Sequence, residues 1–545
     1  MTGILTSARA SAPSETSPLL GDRNGGDSVN RDAENGQVVG DDALASAVTT
    51  KKLHLLIAAV GVGVYLVAID QLLTVATYAK IGNELNALNN TSWIATAYFL
   101  TLTSCQPLYG KLSDIFGRKP CLLFAYTVFA FGCLGCGLAQ SMVQLCAARA
   151  VAGVGGGGMN AVVSILLSDL VPLRERGVWQ GKINILFFAG TATGAPLGGV
   201  LADSIGWRWS FLGQVPLCFV AFIAVYFVLD LPPVEHDHWL AKMRKIDFLG
   251  AFTLVSAVVA LLAGLDSGSN LGWSHIITVV ALSLTPVLFG LFLLVEIKVA
   301  SHPFAPGHII FDRSLFACYL VNFFSVAGQM AAIFFVPLFF QAVQGLSATE
   351  SGSLLVPGMV AGVMASLLGG WIIKRTGKFY SITVAAYALL LSAVLPLGLS
   401  VWFRSTLGEV IGLIVMSFGA GCGITTTLVG LLANAAVEDT AVVVACSYLF
   451  RSLGSSIGIS TGSAVLQQVL RTQLAARLPN GDEAREIEEN VRQSLDYIKE
   501  LPPHLAAQVR SSYQVATLGA IALITIYLVI SFLMAFWIKE RPLKR

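Results

Sequence analysis

The sequence predicts an all-α polytopic membrane protein, and its composition and hydropathy carry this prediction. Of its 545 residues, 55% are hydrophobic and only 12% are charged. A soluble protein of this length usually has about a quarter of its residues charged. The mean hydropathy is +0.73, and many apolar runs approach the roughly 20 residues with which a helix crosses a bilayer. Runs of this length indicate helices, which satisfy their own backbone in lipid.

Fourteen apolar runs follow one another along the chain and predict 14 transmembrane helices. They cover approximately residues 54–79, 92–110, 121–140, 142–168, 180–202, 210–230, 246–266, 275–298, 315–341, 351–373, 380–402, 408–432, 440–468 and 514–538. The polar connections between most runs are short. An even number of spans places both termini on the same side of the membrane.

Positive charges fall mainly in the connections on one side of these spans. That side carries Lys51 and Lys52; Lys111, Arg118 and Lys119; Arg174, Arg176 and Lys182; Lys242, Arg244 and Lys245; and Lys374, Arg375 and Lys378. The short connections on the opposite side hold only Lys80, Arg208 and Arg404. Because basic residues accumulate in cytosolic loops, we expect both termini to lie in the cytosol.

Two polar segments lie outside the apolar runs. Residues 1–50 are rich in Ser, Gly, Asp and Asn and contain no aromatic residue, a composition that predicts a disordered cytosolic tail. Residues 470–512 have mixed charge and predict a long non-cytosolic loop with a surface helix. Long loops cross the membrane largely regardless of their charge, so this segment does not contradict the orientation.

A polar string recurs in the two halves of the chain. GKLSDIFGRK, at 110–119, follows the second run, and GWIIKRTGKF, at 370–379, follows the tenth, so that Gly117 aligns with Gly377. An offset of eight spans is expected if two helices are inserted between two repeats of six. The predicted domains are an N-terminal six-helix bundle at 51–232, a linker with two extra transmembrane helices at 233–312, and a C-terminal six-helix bundle at 313–545. Internal repeats of this kind are typical of secondary transporters, with the substrate site between the halves.

The string G-x-L-x-D-x-x-G-R-K resembles the signature of the major facilitator superfamily. The matching residues are Gly110, Lys111, Asp114, Gly117, Arg118 and Lys119. The resemblance, which extends over roughly residues 53–538, implies a major facilitator fold of 6+2+6 helices. It also implies a cytosolic latch whose charge contacts form and break as the halves rock. Gly110 would allow close helix approach, and Asp114 would accept hydrogen bonds from Arg118 or a neighbouring helix end. The alternative is a solvated basic loop that only sets topology.

Three further stretches resemble motifs of the same superfamily. GTATGAPLGG is similar to the G-x-x-x-G-P-x-x-G-G motif of proton-driven antiporters, which implies export; its small residues permit tight helix crossing and its proline bends the helix. The matching residues are Gly190, Gly194, Pro196, Gly198 and Gly199. RAVAG resembles R-x-x-Q-G, with Ala152 in place of glutamine. LFRSLGSSIG, which contains Arg451, resembles a segment of the fourteen-span drug:proton antiporter branch.

Within that branch, NNTSWIATAYFLTLTSCQPLYGKLSDIFGRKP resembles the fungal vacuolar basic amino acid transporters. In the N-terminal tail, Glu15, Leu19 and Leu20 fit the E-x-x-x-L-L pattern, which adaptor proteins read when they sort cargo to vacuole-like compartments. The resemblance implies an integral protein of the vacuolar membrane with a sorting adaptor as partner. The plasma membrane is the alternative location.

Three ionisable residues stand out inside the predicted spans, where a charge is costly and points to function. At 1.5 Å per residue, Asp70 lies about 27 Å along the first span and Arg149 about 12 Å along the fourth, from the opposite side. Both therefore lie in the non-cytosolic half, whereas Arg451 is nearer the middle of its span. Asp70, at the superfamily's acidic position, is the candidate for proton exchange and for contact with a cationic substrate. Arg149 is its natural partner, because protonation of Asp70 would release Arg149 or a bound cation. A permanently paired, structural Asp–Arg is the alternative.

Other polar positions have more modest interpretations. Polar residues within spans that could line the same cavity, or simply pack helices, are Asn160, Asn184, Gln214, Asn322 and Gln329. Two overlapping sequons make Asn89 and Asn90 candidates for glycosylation.

The nine cysteines show no disulfide or zinc spacing, so we expect no metal or other cofactor. No GxxxxGK[ST] motif and no catalytic constellation occurs, which argues against ATP drive and against an enzyme.

Together, these patterns predict a proton-coupled secondary antiporter that exports small cationic solutes, in particular basic amino acids into the vacuole. The alternative is a plasma-membrane multidrug or toxin efflux pump of the same fold. A sensor built on a transporter scaffold usually needs a large signalling extension, and this tail is short. The expected partners are a small-molecule substrate, protons and the lipid bilayer, with no nucleic acid, and we expect a monomer.

Overall fold

In the computed structural model, the described residues form helices joined by short connections, and none of these residues lies in a β-strand. The structure describes residues 50–171, 173–229, 248–295, 298, 309, 312–436, 439–478 and 482–541. The prediction of an all-α protein is confirmed over these ranges.

The first half is a bundle of long helices that run in alternating directions. The helices are α1 Thr50–Glu84, α2 Ser92–Phe116, α3 Arg118–Leu138, α4 Met142–Leu170, α5 Leu173–Ser204, α6 Arg208–Leu212 and α7 Gln214–Val228. The last two form one pass that is interrupted at Gly213. Side chains cap some of the helix ends, as at α4, where Ser141 Oγ accepts a hydrogen bond from the Gln144 amide at 3.3 Å, which satisfies a donor at the helix start.

Two helices, α8 Phe248–Asn270 and α9 Ile276–Leu294, precede the second half. The second half contains α10 Arg313–Ala342, α11 Ala348–Ser353, α12 Val356–Thr376, α13 Tyr380–Ser392, α14 Val394–Phe403, α15 Thr406–Asn434, α16 Thr440–Arg477, α17 Asp482–Gln493, α18 Tyr497–Glu500 and α19 Pro503–Ala535. The predicted loop at 470–512 thus contains the end of α16, all of α17 and α18 and the start of α19. The predicted domain boundaries stay a prediction.

The helix contacts repeat between the halves. In the first half α1 packs on α5, and α4 packs on both α2 and α3; in the second half α10 packs on α16, and α15 packs on both α12 and α13. The aligned glycines agree with this repeat, because Gly117 and Gly377 both follow the second long helix of their half and have φ values of 92° and 68°. Glycine adopts such angles without the steric cost of a Cβ.

By length and composition, twelve helices of the described residues are apolar enough to cross a membrane. Neither α2 nor α8 is among them, although α8 contains the shorter apolar helix Phe252–Gly268. These two helices would complete the fourteen predicted spans, and the fourteen-span count stays a prediction. The lipid-facing character of the surface is plain on α9, where Ile276 and Val287 are 69% and 63% exposed.

The two ends of the bundle differ in how the halves meet. We call the end that holds Glu84, Ser204 and Thr349 the Glu84 side, and the end that holds Gly117 and Gly377 the Gly117 side. In the described residues, the hydrogen bonds that join the halves lie towards the Glu84 side. They are Tyr78 to Phe334, Asn83 to Leu495 and Asp496, Thr96 to Ser460, and Thr349 to Asp203. The two halves are therefore closed against each other at that side.

The helices α8 and α9 pack against each other, and α8 also contacts α2 of the first half and α16 of the second. An apolar cluster of Leu100, Leu254, Val258, Leu262 and Leu449 forms this contact. The inserted pair thus covers the outside of the seam where the two halves meet.

Candidate functional site

Asp70 and Arg149 form a buried ion pair between α1 and α4. Arg149 Nη1 lies 2.6 Å from Asp70 Oδ2, and the side chains are 1% and 0% exposed. The sequence places both charges at similar depth, and the structure brings them into direct contact. Attraction between charges is strong where water is excluded, and desolvation of the two charges opposes it.

Neighbouring groups satisfy most of the remaining polar atoms of this pair. Gln214 Nε2 donates to Asp70 Oδ1 at 3.2 Å, and Arg149 Nε donates to the backbone oxygen of Ile94 at 3.2 Å. The Arg149 guanidinium also lies over the ring of Tyr98, 4.3 Å from its centroid. Four helices (α1, α2, α4 and α7) therefore meet at a single charged centre, so a change in the charge of Asp70 acts on all of them.

The glycines of α5 hold that helix close to α1, on either side of Asp70. A Cβ at Gly190, Gly194 or Gly198 would lie 2.6, 2.8 or 2.6 Å from the backbone oxygens of Tyr65, Ile69 and Leu73. These approaches recur every four residues on both helices, and only glycine permits them. The same arrangement occurs in the second half, where Gly454 and Gly458 of α16 meet the backbone oxygens of Phe323 and Ala327.

The other two residues of that motif have different surroundings. At Gly199 a Cβ would lie 2.6 Å from the Cα of Thr349, so this glycine permits contact between the halves. Pro196 lies inside α5, which continues through it as an α-helix. In α4, Ala152 packs so closely on Gly132 that a Cβ there would lie 2.3 Å from the Ala152 amide nitrogen. Ala152 itself is fully buried.

A cavity of about 150 Å³ lies between the two halves. Polar residues from both halves line it, among them Gln71, Gln106, Asn160, Gln329, Ser366 and Arg451. Gln71 and Leu72 line the cavity, but the fully buried Asp70 beside them does not. The ion pair therefore lies directly behind the cavity wall, and Arg451 is the charged side chain among the described lining residues.

The five polar residues within the predicted spans have different surroundings. Asn160 and Gln329 line the cavity, and Gln214 binds Asp70. Asn322 instead donates to the Ser447 hydroxyl at 3.1 Å in a buried contact between α10 and α16. The side chain of Asn184 is outside what the structure describes.

The latch string lies where α2 ends and α3 begins, on the Gly117 side. Arg118 Nε donates to Asp169 Oδ2 at 2.9 Å, and Arg118 Nη1 donates to the Ser113 hydroxyl at 2.6 Å. Asp169 lies at the end of α4, so the sequence missed this partner of Arg118. A Cβ at Gly110 would meet Ile165 at 3.7 Å, an ordinary contact, so the helix packing here does not require glycine. Lys119 lies 5.1 Å from the ring centroid of Tyr226. The structure does not describe the side chains of Lys111 and Asp114.

Two sets of candidate modification or sorting residues remain as predictions. Asn89 and Asn90 lie in a short 3-10 helix on the Glu84 side, between α1 and α2, which is the position of a first loop. The sorting residues Glu15, Leu19 and Leu20 lie outside the described residues.

A further buried carboxylate, that of Glu409, was not predicted from the sequence. Glu409 is 0% exposed in the first turn of α15 and accepts a hydrogen bond of 3.5 Å from Gln344 Nε2. No cation is paired with it in the described part of the chain. Its place near the end of an apolar run gave no signal, since carboxylates are common at helix starts.

Comparison with known proteins identifies relatives over most of the chain. A family model described as the Major Facilitator Superfamily matches residues 56–459. The vacuolar membrane amino acid uptake transporter fnx2 of Schizosaccharomyces pombe is 38% identical over 510 residues, which are 92% of this chain and 87% of the relative. The multidrug resistance protein fnx1 of the same organism is 35% identical, over 88% of this chain and 92% of its own length.

Vacuolar basic amino acid transporter 1 of Saccharomyces cerevisiae is 32% identical, over 73% of this chain and 75% of its own length. Among solved structures, a bacterial homologue of the human lysosomal transporter Spinster, in an inward-facing and unoccupied conformation, matches with a TM-score of 0.61 at 14% identity. The match covers 90% of this chain and 98% of that one. At this identity the structural match shows the fold alone.

Proposed function

The chain belongs to the major facilitator superfamily, and from this premise we propose that it is a proton-coupled antiporter that moves basic amino acids from the cytosol into the vacuole. It is an integral membrane transporter and not an enzyme. The direction of transport, the coupling ion, the substrate and the membrane are all parts of this proposal. In the proposed orientation both termini, and with them the Gly117 side, lie in the cytosol, and the protein acts as a monomer.

The observation that carries the proposal is the ion pair of Asp70 and Arg149 behind the cavity wall. A proton on Asp70 neutralises the carboxylate, and the attraction that joins α1 to α4 weakens. Because Gln71 and Leu72 line the cavity, a shift of α1 at Asp70 changes the cavity that holds the substrate. Proton binding and substrate binding then exclude each other through the same stretch of helix.

The closed contacts at the Glu84 side support alternating access. In the proposed orientation, the cavity of this conformation is closed towards the vacuolar lumen. The halves would then rock against each other around the cavity, so that the Glu84 side opens and the latch at the Gly117 side closes. This movement would rearrange the ion pair between the latch residue Arg118 and Asp169.

The proposed substrate is supported by the relatives of this chain, and the proposed location in the vacuolar membrane is supported by those relatives and by the N-terminal tail. Relatives that are named vacuolar amino acid transporters match over 73% and 92% of the chain. The ETSPLL segment in the tail would direct the protein to the vacuole through an adaptor.

A second function is a multidrug efflux pump of the plasma membrane. It is favoured by the relative fnx1, named a multidrug resistance protein, and by the many aliphatic and aromatic side chains in the cavity wall, including Phe99 and Ile333. Apolar walls suit lipophilic ligands.

Uptake into vacuolar vesicles tests the proposal. Vesicles from cells with and without the protein are energised with ATP and given labelled lysine, arginine and histidine. We expect accumulation that depends on the protein and disappears with a protonophore. Equal accumulation by both vesicle preparations, together with a tagged protein at the cell surface, would reject vacuolar amino acid transport and favour efflux.

A further inference from the structure

Arg451 holds a charge near the middle of the membrane without a counter-ion among the described residues. It lies on α16, 11 residues after Thr440, which is about 17 Å along the helix at 1.5 Å per residue. The hydrocarbon core is about 30 Å thick, so the side chain lies roughly halfway across it. The side chain is half-buried and lines the cavity between the halves.

The contrast with Arg149 shows what Arg451 lacks. Arg149 has a carboxylate at 2.6 Å and a carbonyl acceptor at 3.2 Å. In the described ranges, no ion pair includes Arg451, and no hydrogen bond uses its guanidinium. The ring of Tyr448, on the same helix, lies with its centroid 5.3 Å from the guanidinium carbon. An arginine in the membrane interior is costly, so an unpaired one facing a cavity indicates a ligand.

Hydroxyl groups line the same cavity as this cation. Ser452 and Ser455 follow Arg451 on α16, and Thr425 and Ser366 lie on the facing helices, with their oxygens 2.6 Å apart. The Ser455 hydroxyl donates to the backbone oxygen of Arg451 at 3.1 Å. Hydroxyls and a planar guanidinium with five N–H donors suit a carboxylate, which accepts two parallel hydrogen bonds from arginine.

We propose that Arg451 binds the carboxylate group of the transported solute. For the proposed function this means that the protein recognises a basic amino acid by its α-carboxylate, and the inference rests on that function only for the identity of the solute. A cation without a carboxylate is repelled by Arg451, because no described acidic side chain lines the cavity. The cavity therefore favours solutes that carry a carboxylate, such as lysine, and rejects the matching diamines.

The test compares lysine with cadaverine, which has the same chain and ammonium group but no carboxylate. Binding of labelled lysine to the purified full-length protein is measured, with unlabelled lysine or cadaverine as competitor. The variants are Arg451→Gln, Arg451→Lys and the control Arg477→Gln. Arg477 ends the same helix, about 39 Å away at 1.5 Å per residue, so its variant removes the same charge outside the cavity.

In the parent protein and in Arg477→Gln, lysine should compete at least about tenfold better than cadaverine. Arg451→Gln should bind lysine about tenfold more weakly and cadaverine no more weakly, because the repelling charge is gone. Arg451→Lys should fall between them, since an ammonium cannot form the bidentate pair. If Arg451→Gln does not fold, the competition in the parent protein and Arg451→Lys decides.

Cadaverine that competes as well as lysine in the parent protein overturns the carboxylate site. Unchanged lysine binding by Arg451→Gln overturns it too. Failure of the proposed function looks different, because the parent protein would then show no proton-driven lysine uptake, whereas carboxylate-dependent binding that requires Arg451 would remain.

Discussion

Asp203 at the end of α5 binds the start of a helix in the opposite half through Thr349. Asp203 Oδ2 accepts hydrogen bonds from the Thr349 amide at 3.0 Å and from its hydroxyl at 2.5 Å, while Oδ1 lies 2.9 Å from Lys80 Nζ. A carboxylate at a helix start satisfies unpaired amides and meets the positive end of the helix dipole. One side chain thus ties the two halves together on the Glu84 side.

Replacing Asp203 with asparagine should favour the conformation that is open at the Glu84 side. The neutral amide oxygen of asparagine accepts weaker hydrogen bonds from Thr349 than a carboxylate does and cannot pair with Lys80 as a charge. A weakening of about 1 kcal/mol shifts the ratio of the two conformations roughly fivefold. Spin labels at Ile205 and Ser353, in a background without native cysteines, report the distance between the halves by electron–electron double resonance. We expect a larger population at long distance.

Lys80→Gln is the matched control for this experiment. It removes the ion pair within the first half but leaves both hydrogen bonds to Thr349. Its distance distribution should change less than that of Asp203→Asn. Equal shifts in both variants would show that the ion pair, and not the bond to Thr349, holds the halves together.

The sequence could predict the charged centre but not the contacts between the halves. Asp70 and Arg149 stand out because each interrupts an apolar run, and Gly190, Gly194 and Gly198 stand out by their spacing of four. Asp203 gives no such signal, because carboxylates at span ends are common and its partner is 146 residues away. The cavity wall likewise depends on how helices from the two repeats face each other, which the spacing within one helix does not contain.

Loss of the latch charge should slow transport without lowering the amount of protein. We expect this of Asp114→Asn, which keeps the size of the side chain, and also of Asp169→Asn, which removes the carboxylate that lies 2.9 Å from Arg118. If the two carboxylates act in one latch, the double variant should be no slower than the slower single variant. Initial rates of labelled lysine uptake at equal protein amounts measure this. Parent rates in both single variants would leave only the topological role of the string.

Replacing Leu19 and Leu20 with alanine should redirect the protein to the plasma membrane. The E-x-x-x-L-L pattern is recognised through its leucines, so the double change removes the adaptor contact and should not disturb the helices. The location of a fluorescent fusion measures the result, and alanine at the neighbouring Thr16 and Ser17 serves as control. A vacuolar signal that is the same in both variants would make the motif incidental.

Gly194→Ala should destabilise the first half and lower transport. The added Cβ would lie 2.8 Å from the backbone oxygen of Ile69, so α5 must move away from α1 at Asp70, and overpacking of this kind costs about 1–3 kcal/mol. Gly398→Ala is the control, because nothing lies within 4 Å of a Cβ there and alanine favours a helix by about 1 kcal/mol. Thermal unfolding in detergent should show a lower Tm for the first variant and an equal or higher Tm for the second. Equal Tm values would contradict the close contact.

Asp70→Asn should abolish proton-driven accumulation of lysine while the protein still folds and reaches its membrane. Asparagine cannot titrate, so the charge of the site is the same at every pH and a pH gradient has nothing to act on. Folding should survive because the side-chain oxygen of the new asparagine can still accept from Arg149, which also keeps the Ile94 oxygen and the Tyr98 ring as neighbours. A single buried charge left without its partner is nevertheless destabilising by about 3–5 kcal/mol, and we expect a lower Tm.

Reconstituted liposomes separate coupling from binding. Uptake driven by a pH gradient should be lost in Asp70→Asn and partly kept in Asp70→Glu, which still titrates. Exchange of internal for external lysine without a gradient should be slower in Asp70→Asn but independent of pH, because residue 70 then has the same neutral form at every pH while Gln71 and Arg451 still line the cavity. Arg149→Ala should keep a pH dependence, since residue 70 still carries an ionisable carboxylate. Gradient-driven accumulation at the parent level by Asp70→Asn would exclude Asp70 as the coupling site. The fully buried Glu409, which has no paired cation among the described residues, would then be the carboxylate to examine, through the same comparison of Glu409→Gln with Glu409→Asp.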